Sequence, residues 1–182
     1  GAPGFPVLAD DVWIWGGSLA EIEHTLRVGV RTDHPETRMS MMPAFGRDGL
    51  LTPAQIADVT EYAIFLSRGA RARLSPNGAA ASRGAAIYQE QCAICHGVSG
   101  AGDRSVGAPS LLDDLWLYGG SREDISRQIE TGRAGVMPAW EARFDAGTLR
   151  ALAYYVREMC AGEPDAPLPA LDQSSSEAVP TN

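Results

Sequence analysis

Cys92-Ala93-Ile94-Cys95-His96 sets two thiols one helical turn apart, with an imidazole directly after the second. Two thiols so spaced can add to the two vinyl groups on one edge of a porphyrin. The histidine then lies under the ring with a nitrogen for the iron, the arrangement of covalent haem attachment. Gly97 follows at once, so the backbone can turn away where a side chain would crowd the macrocycle. The expected cofactor is haem c, held by Cys92 and Cys95, with His96 as an axial ligand. A zinc site built from Cys92, Cys95, His96 and Cys160 would use a permitted ligand set. Neighbouring helical residues project about 100° apart, however, which makes joint tetrahedral ligation by Cys95 and His96 awkward. A redox dithiol would need a strand–helix–strand setting, and no run of the chain alternates convincingly with period two.

A sixth iron ligand is expected downstream. Met137 is followed by Pro138, which fixes the loop and cannot continue a helix. A thioether opposite histidine raises the reduction potential, which suits electron transfer. Met137 is therefore the first candidate for the haem at His96. Met42-Pro43 repeats the pattern earlier in the chain, flanked by Met39 and Met41, with no Cys-x-x-Cys-His before it. Met42 is a second axial candidate, and a methionine of one copy serving the haem of the other remains open. Met159 reads as packing. Arg38 and Arg133 precede the Met-Pro segments and suit haem propionates or solvent equally, since guanidinium binds carboxylate bidentately. Trp13, Trp116 and Trp140 read as core or haem-packing aromatics, His24 and His34 as ordinary, and Cys160 as a buried thiol without a partner.

The elements that must position these residues come from a tandem duplication. Pro6-Val7-Leu8-Ala9-Asp10-Asp11-Val12-Trp13-Ile14-Trp15-Gly16-Gly17-Ser18 recurs as Pro109-Ser110-Leu111-Leu112-Asp113-Asp114-Leu115-Trp116-Leu117-Tyr118-Gly119-Gly120-Ser121. Each copy continues into a helical pattern, then Met-Pro-Ala-aromatic, then a closing helix. The first copy has extra loop residues around Arg31 to Ser40. Ser18 with Glu21, and Ser121 with Asp124, read as helix N-caps with an acid three residues on. Thr52, Pro53 and Gln55 read as a capping box with proline at the first helical position. Another helix is expected to start near Ser82 and carry Gln91 toward the cysteines. The fold class is all-α: tandem cytochrome c-like domains, the first incomplete. The boundaries expected are 1–67 for the first domain, 68–81 for a linker, 82–161 for the second domain with its haem, and 162–182 for a disordered tail. The abrupt start favours loss of the first copy's haem motif over a haemless relic.

Composition bounds the rest. The 182 residues are 45% hydrophobic and 21% charged, and every one of the 15 basic residues is arginine. Against 23 acids the net charge is −8, which argues against nucleic-acid binding. No stretch approaches the roughly 20 apolar residues of a membrane span, so the chain as given is expected to be soluble.

The paired Asp-Asp-x-Trp-x-(Trp/Tyr)-Gly-Gly-Ser segments, Arg38-Met39-Ser40-Met41-Met42-Pro43-Ala44-Phe45-Gly46 and Cys92-Ala93-Ile94-Cys95-His96-Gly97 resemble the dihaem subunit III, the CcoP or FixP family, of cbb3-type cytochrome c oxidases. The resemblance implies a membrane anchor followed by two cytochrome c domains on the periplasmic side of the bacterial inner membrane. It implies an electron relay from a donor cytochrome c to the catalytic subunits, beside a monohaem subunit, and no catalysis by this chain alone. It assigns Cys92 and Cys95 to covalent haem, His96 to an axial position, and Met42 and Met137 to the two axial methionines. The anchor and first Cys-x-x-Cys-His of that family are not in this sequence, so one covalent haem is expected here and two in a full-length member. Two other functions compete: a cytochrome c subunit of a periplasmic dehydrogenase, and a dihaem peroxidase-like enzyme, which needs a displaceable iron ligand.

Overall fold

The computed structural model describes residues 4–68, 78–160 and 162–165. Six helices carry the fold: α1 (Leu19–Val28), α2 (Pro53–Ser67), α3 (Ala79–Gln91), α4 (Ala93–His96), α5 (Arg122–Thr131) and α6 (Ala146–Met159). The described residues contain no strand, only isolated bridges, so the all-α expectation holds. No described helix is long and apolar enough to cross a membrane. Most of the expected 68–81 linker and 162–182 tail lies outside the described residues.

The helix starts follow local chemistry. Ser18 and Thr52 each accept from the backbone N–H three residues on, and Glu21 and Gln55 return the bond to the cap backbone. Ser121 caps α5 through the Asp124 N–H. Asp145 caps α6 through the Thr148 N–H, a signal the sequence reading passed over. The third helix begins at Ala79, three residues before Ser82, with Gly78 as its N-cap.

Packing does not follow chain order. The first copy's closing helix, α2, packs on α3 and α5 of the second copy, while α1 packs on α6. The main core contains Phe45, Leu51, Ile56, Val59, Ala63 and Leu66 from the first copy, with Tyr88, Ile125 and Ile129 from the second. Matched backbone hydrogen bonds fix the exchange. The Phe45 N–H donates to the Ile129 carbonyl at 3.1 Å, and its counterpart Trp140 donates to Leu26 at 3.1 Å. Gly46 donates to Glu130 at 3.1 Å and Glu141 to Arg27 at 3.3 Å. The glycine ending α1 has a positive φ of 69° and lies against the Met137 carbonyl; Gly132, ending α5, has φ 57° and lies against that of Met42. Each copy thus hands its Met-Pro loop and closing helix to the other. One half of the molecule joins α3, α4 and α5 to the Met42 loop and α2. The other joins α1 to the Met137 loop and α6. The extra residues of the first copy leave this scheme untouched, because the loop is pinched off where Arg31 N–H donates to the Arg38 carbonyl at 2.9 Å.

Candidate functional site

The last turn of α3 delivers the cysteines. Cys92 ends α3 and starts the short turn α4, and the His96 N–H donates back to the Cys92 carbonyl at 2.9 Å. Gly97 then takes φ 76°, a left-handed exit open to glycine. The buried Tyr88 hydroxyl donates to the Gly97 carbonyl at 2.7 Å, so α3 holds the backbone just past the histidine. The histidine itself is held from the loop. Its Nδ1–H donates to the Pro109 carbonyl at 3.0 Å, which orients the ring and leaves Nε2 as the bare nitrogen for a metal. Burial lowers the His96 pKa, partly opposed by that carbonyl, and so favours the neutral imidazole. Burial and the neighbouring Cys95 push the Cys92 thiol up to about 11. The free Cys92 thiol is therefore protonated at neutral pH. Among the described residues no three His, Cys, Asp or Glu side chains form a metal-holding group. Cys160 lies apart from the other thiols, buried with its Sγ against the Leu8 carbonyl.

The two methionines part company. Met42 packs on the main core, as do Cys92, Ala93, Leu111 and Trp116 around the haem motif. Its sulfur lies 3.8 Å from the Gln128 Nε2 donor on α5. Met137 instead pairs its backbone with Val30, N–H to carbonyl in both directions at 2.9 and 3.1 Å. The methionine that follows the haem motif in sequence therefore belongs to the other half, and the upstream one sits with the cysteines.

The donor set and its surroundings fit a porphyrin. Cys92, Met42, Leu111 and Trp116 all pack on one apolar core, and His96, three residues on from Ala93, keeps a bare imidazole nitrogen. Arg133 adds an orphan: its Nε donates to Gln128 Oε1 at 3.3 Å, its guanidinium lies 4.7 Å from the Tyr118 ring centre, and its buried Nη2 has no partner. A buried donor left unpaired costs about 1–3 kcal/mol, and a propionate carboxylate would satisfy it. Arg38 is the mirror image in the other half, over the Trp15 ring and bonded to Thr25 Oγ1. His24 accepts from Arg27 at 3.3 Å, and His34 meets Glu141 at 2.7 Å; both are spent in a surface network. Trp116 and Trp13 each lie against the second glycine of their Gly-Gly pair, where a Cβ would fall 2.5 and 2.6 Å from the indole. That contact explains the repeated Trp-x-(Trp/Tyr)-Gly-Gly.

Comparison with known proteins agrees with this chemistry. Residues 79–156 match the family described as cytochrome c oxidase, cbb3-type, subunit III. The FixP subunit of a cbb3-type cytochrome c oxidase from Bradyrhizobium sp. strain ORS 278 is 49% identical over 163 residues, 90% of this chain and 55% of that protein. The CcoP subunit from Azospirillum brasilense is 45% identical over 170 residues, 90% of this chain and 56% of its own length. That of Cereibacter sphaeroides is 43% identical over 164 residues, 90% and 55% respectively. The chain thus spans about half the length of these relatives. Over that span, it belongs to the subunit III family of cbb3-type cytochrome c oxidases.

Proposed function

We propose that this chain is an electron carrier with one haem c bound covalently to Cys92 and Cys95, its iron between His96 and Met42. The observation that carries the reading is that Met42 packs on the same core as Cys92 and Ala93, the start of the haem turn, with His96 already oriented by Pro109. When bound, the haem supplies a one-electron iron couple. The protein's part is to hold that couple still. Pro109 fixes the imidazole and Tyr88 pins the backbone after it, while the first-copy Met42 loop, packed against α5, would supply the thioether. With His96 and Met42 both holding the iron, the group would serve electron transfer rather than substrate chemistry, and the Met42 thioether would raise its potential.

The family supplies the context. The chain would relay electrons from a donor cytochrome c to the catalytic subunits of a cbb3-type oxidase, on the periplasmic side of the inner membrane. In the longer protein Met137 would serve a second haem. Neither a dehydrogenase subunit nor a peroxidase is favoured by any feature of the site. A haem-stained denaturing gel of exported material tests the attachment. Cys92→Ala or Cys95→Ala should abolish normal covalent staining, and Cys160→Ala should leave it intact. Loss of stain in the Cys160 variant would overturn the assignment. Co-purification with a haem–copper oxidase tests the context, and capture with a dehydrogenase instead would replace it.

A further inference from the structure

The Met42 and Met137 loops come within reach of a single side chain. Arg31 donates from Nε to the Gly135 carbonyl and from Nη1 to the Ser40 carbonyl, each at 2.7 Å. Ser40 stands two residues before Met42, and Gly135 two before Met137, so the bonds meet matching positions of the two copies. The backbone of Arg31 is also unusual. Among the described residues it is the one non-glycine with positive φ, 56°, a conformation that a side chain makes costly. Surrounding bonds hold it there. Its N–H donates to the Arg38 carbonyl, and Val30 beside it exchanges backbone bonds with Met137.

What the guanidinium secures differs between the two loops. The Met137 loop keeps its Val30 pair whatever side chain stands at position 31. The Met42 loop is anchored downstream, where Phe45, Gly46 and Arg47 donate to the Ile129 and Glu130 carbonyls. Between Arg38 and Met42, the hydrogen-bonded anchor found among the described residues is the one from Arg31 to Ser40. Exposure alternates along that stretch. Met39 and Met41 are 59% and 61% exposed, while Ser40 and Met42 are half-buried. An extended segment that slips by one residue exchanges its faces, and a slip here would present Met41 in place of Met42.

We propose that Arg31 is a positioning residue for the haem on Cys92 and Cys95, fixing through the Ser40 carbonyl the register that turns the Met42 thioether inward. This role rests on the assignment of Met42 as the axial sulfur. Arginine suits it because one planar fork reaches two carbonyls at once, where lysine offers a flexible point charge. Glycine would suit the backbone at this φ and still lose the fork. Substitution therefore separates backbone strain from ligand positioning.

Base titration of the oxidised holoprotein, following the thioether-to-iron band, tests the proposal. Base displaces a methionine ligand once its loop opens, so tenfold easier opening lowers the midpoint by about one pH unit. Arg31→Gly and Arg31→Lys should each lower it by at least about that much. Free methylguanidinium, below denaturing concentration, should return Arg31→Gly toward the wild-type midpoint. A wild-type midpoint in Arg31→Gly would overturn the proposal. Full rescue by Arg31→Lys would do the same, because a single charge would then suffice. Lower stability in urea with an unmoved ligand midpoint would leave Arg31 a stabilising contact and nothing more, which also overturns it. If Arg31→Gly fails to mature, Arg31→Lys carries the same measurement. Met42→Ala keeps the two assignments distinguishable. A band that survives that change sinks the ligand and this role together, whereas a Met42-dependent band indifferent to position 31 sinks this role alone.

Discussion

The two halves of the molecule are built from the same sequence pattern, yet only one is closed. Where α2, α3 and α5 meet, the core is continuous and buries Val59, Tyr88 and Ile125. Where α1 meets α6, the buried residues are Ile22, Val28, Val30, Leu149, Ala153 and Cys160, and Leu152, Tyr155 and Met159 of α6 stay exposed. The difference lies in one helix and the cysteine turn that follows it. A cytochrome half of this kind gains its second layer from the element that also delivers the haem thiols. Core formation and cofactor attachment therefore depend on the same thirteen-residue helix, Ala79–Gln91.

The sharpest way to break this comparison is to exchange the methionines. Met42→Ala should abolish the thioether-to-iron absorption band of the haem on Cys92 and Cys95 and lower its potential, because the iron loses its soft axial ligand. Met137→Ala should leave that haem's band in place. Absorption spectra and a redox titration of each variant give the answer. If Met137→Ala removes the band and Met42→Ala spares it, each copy keeps its own loop and the crossed packing is wrong.

That exchange was the part of the fold least legible in the sequence. The haem turn is local, five residues whose spacing is itself the chemistry, and the structure folds Cys92 to His96 as one helical turn. The caps at Ser18, Thr52 and Ser121 are equally local, since each side chain reaches a backbone N–H only three residues away. Pairing between copies is different. Phe45 and Trp140 carry interchangeable Met-Pro-Ala-aromatic loops, and Ile129 and Leu26 are interchangeable acceptors, so either pairing satisfies the same hydrophobic and hydrogen-bonding pattern. Exchange of identical elements costs little in contacts, and periodicity cannot distinguish the two arrangements. Chain order points to Met137 as the partner of His96, whereas packing puts Met42 on the core with Cys92. The early start of α3 was missed because Ala79, Ala80 and Ala81 were assigned to the linker, although alanine is the best helix former.

A smaller effect is expected where the closed half is tightest. Gly84→Ala should gain up to about 1 kcal/mol of helix propensity. Its new Cβ, however, must displace the Asp58 carbonyl, 2.1 Å away. Overpacking of this kind costs about 1–3 kcal/mol, and backbone cannot rotate aside as a side chain can. Denaturant unfolding should therefore show net destabilisation, with weakened Met42 ligation as α2 moves off α3. A stabilised variant would mean that the two helices are less closely packed than the geometry requires.

The smallest effect concerns charge, and it too separates the halves. Asp58 on α2 receives two hydrogen bonds from the Arg83 guanidinium of α3, at 2.7 and 2.6 Å, whereas α6 has Ala151 at the matching position. The Arg83 bond holds the Asp58 carboxyl below its ordinary value. A carboxylate whose pKa is lower folded than unfolded adds stability above its unfolded value, near 4, and loses that addition as pH falls through the folded one. Arg83 stays charged throughout and is largely exposed, so solvent screens the pair and the contribution is modest. Asp58→Asn should therefore reduce stability at pH 7 and flatten its loss between about pH 5 and 2, while the fully acidic states of the two proteins converge. Unfolding followed across that range checks it. An unchanged acid limb in the variant would assign the pH dependence to other carboxylates and leave Asp58 a packing residue of the α2–α3 contact.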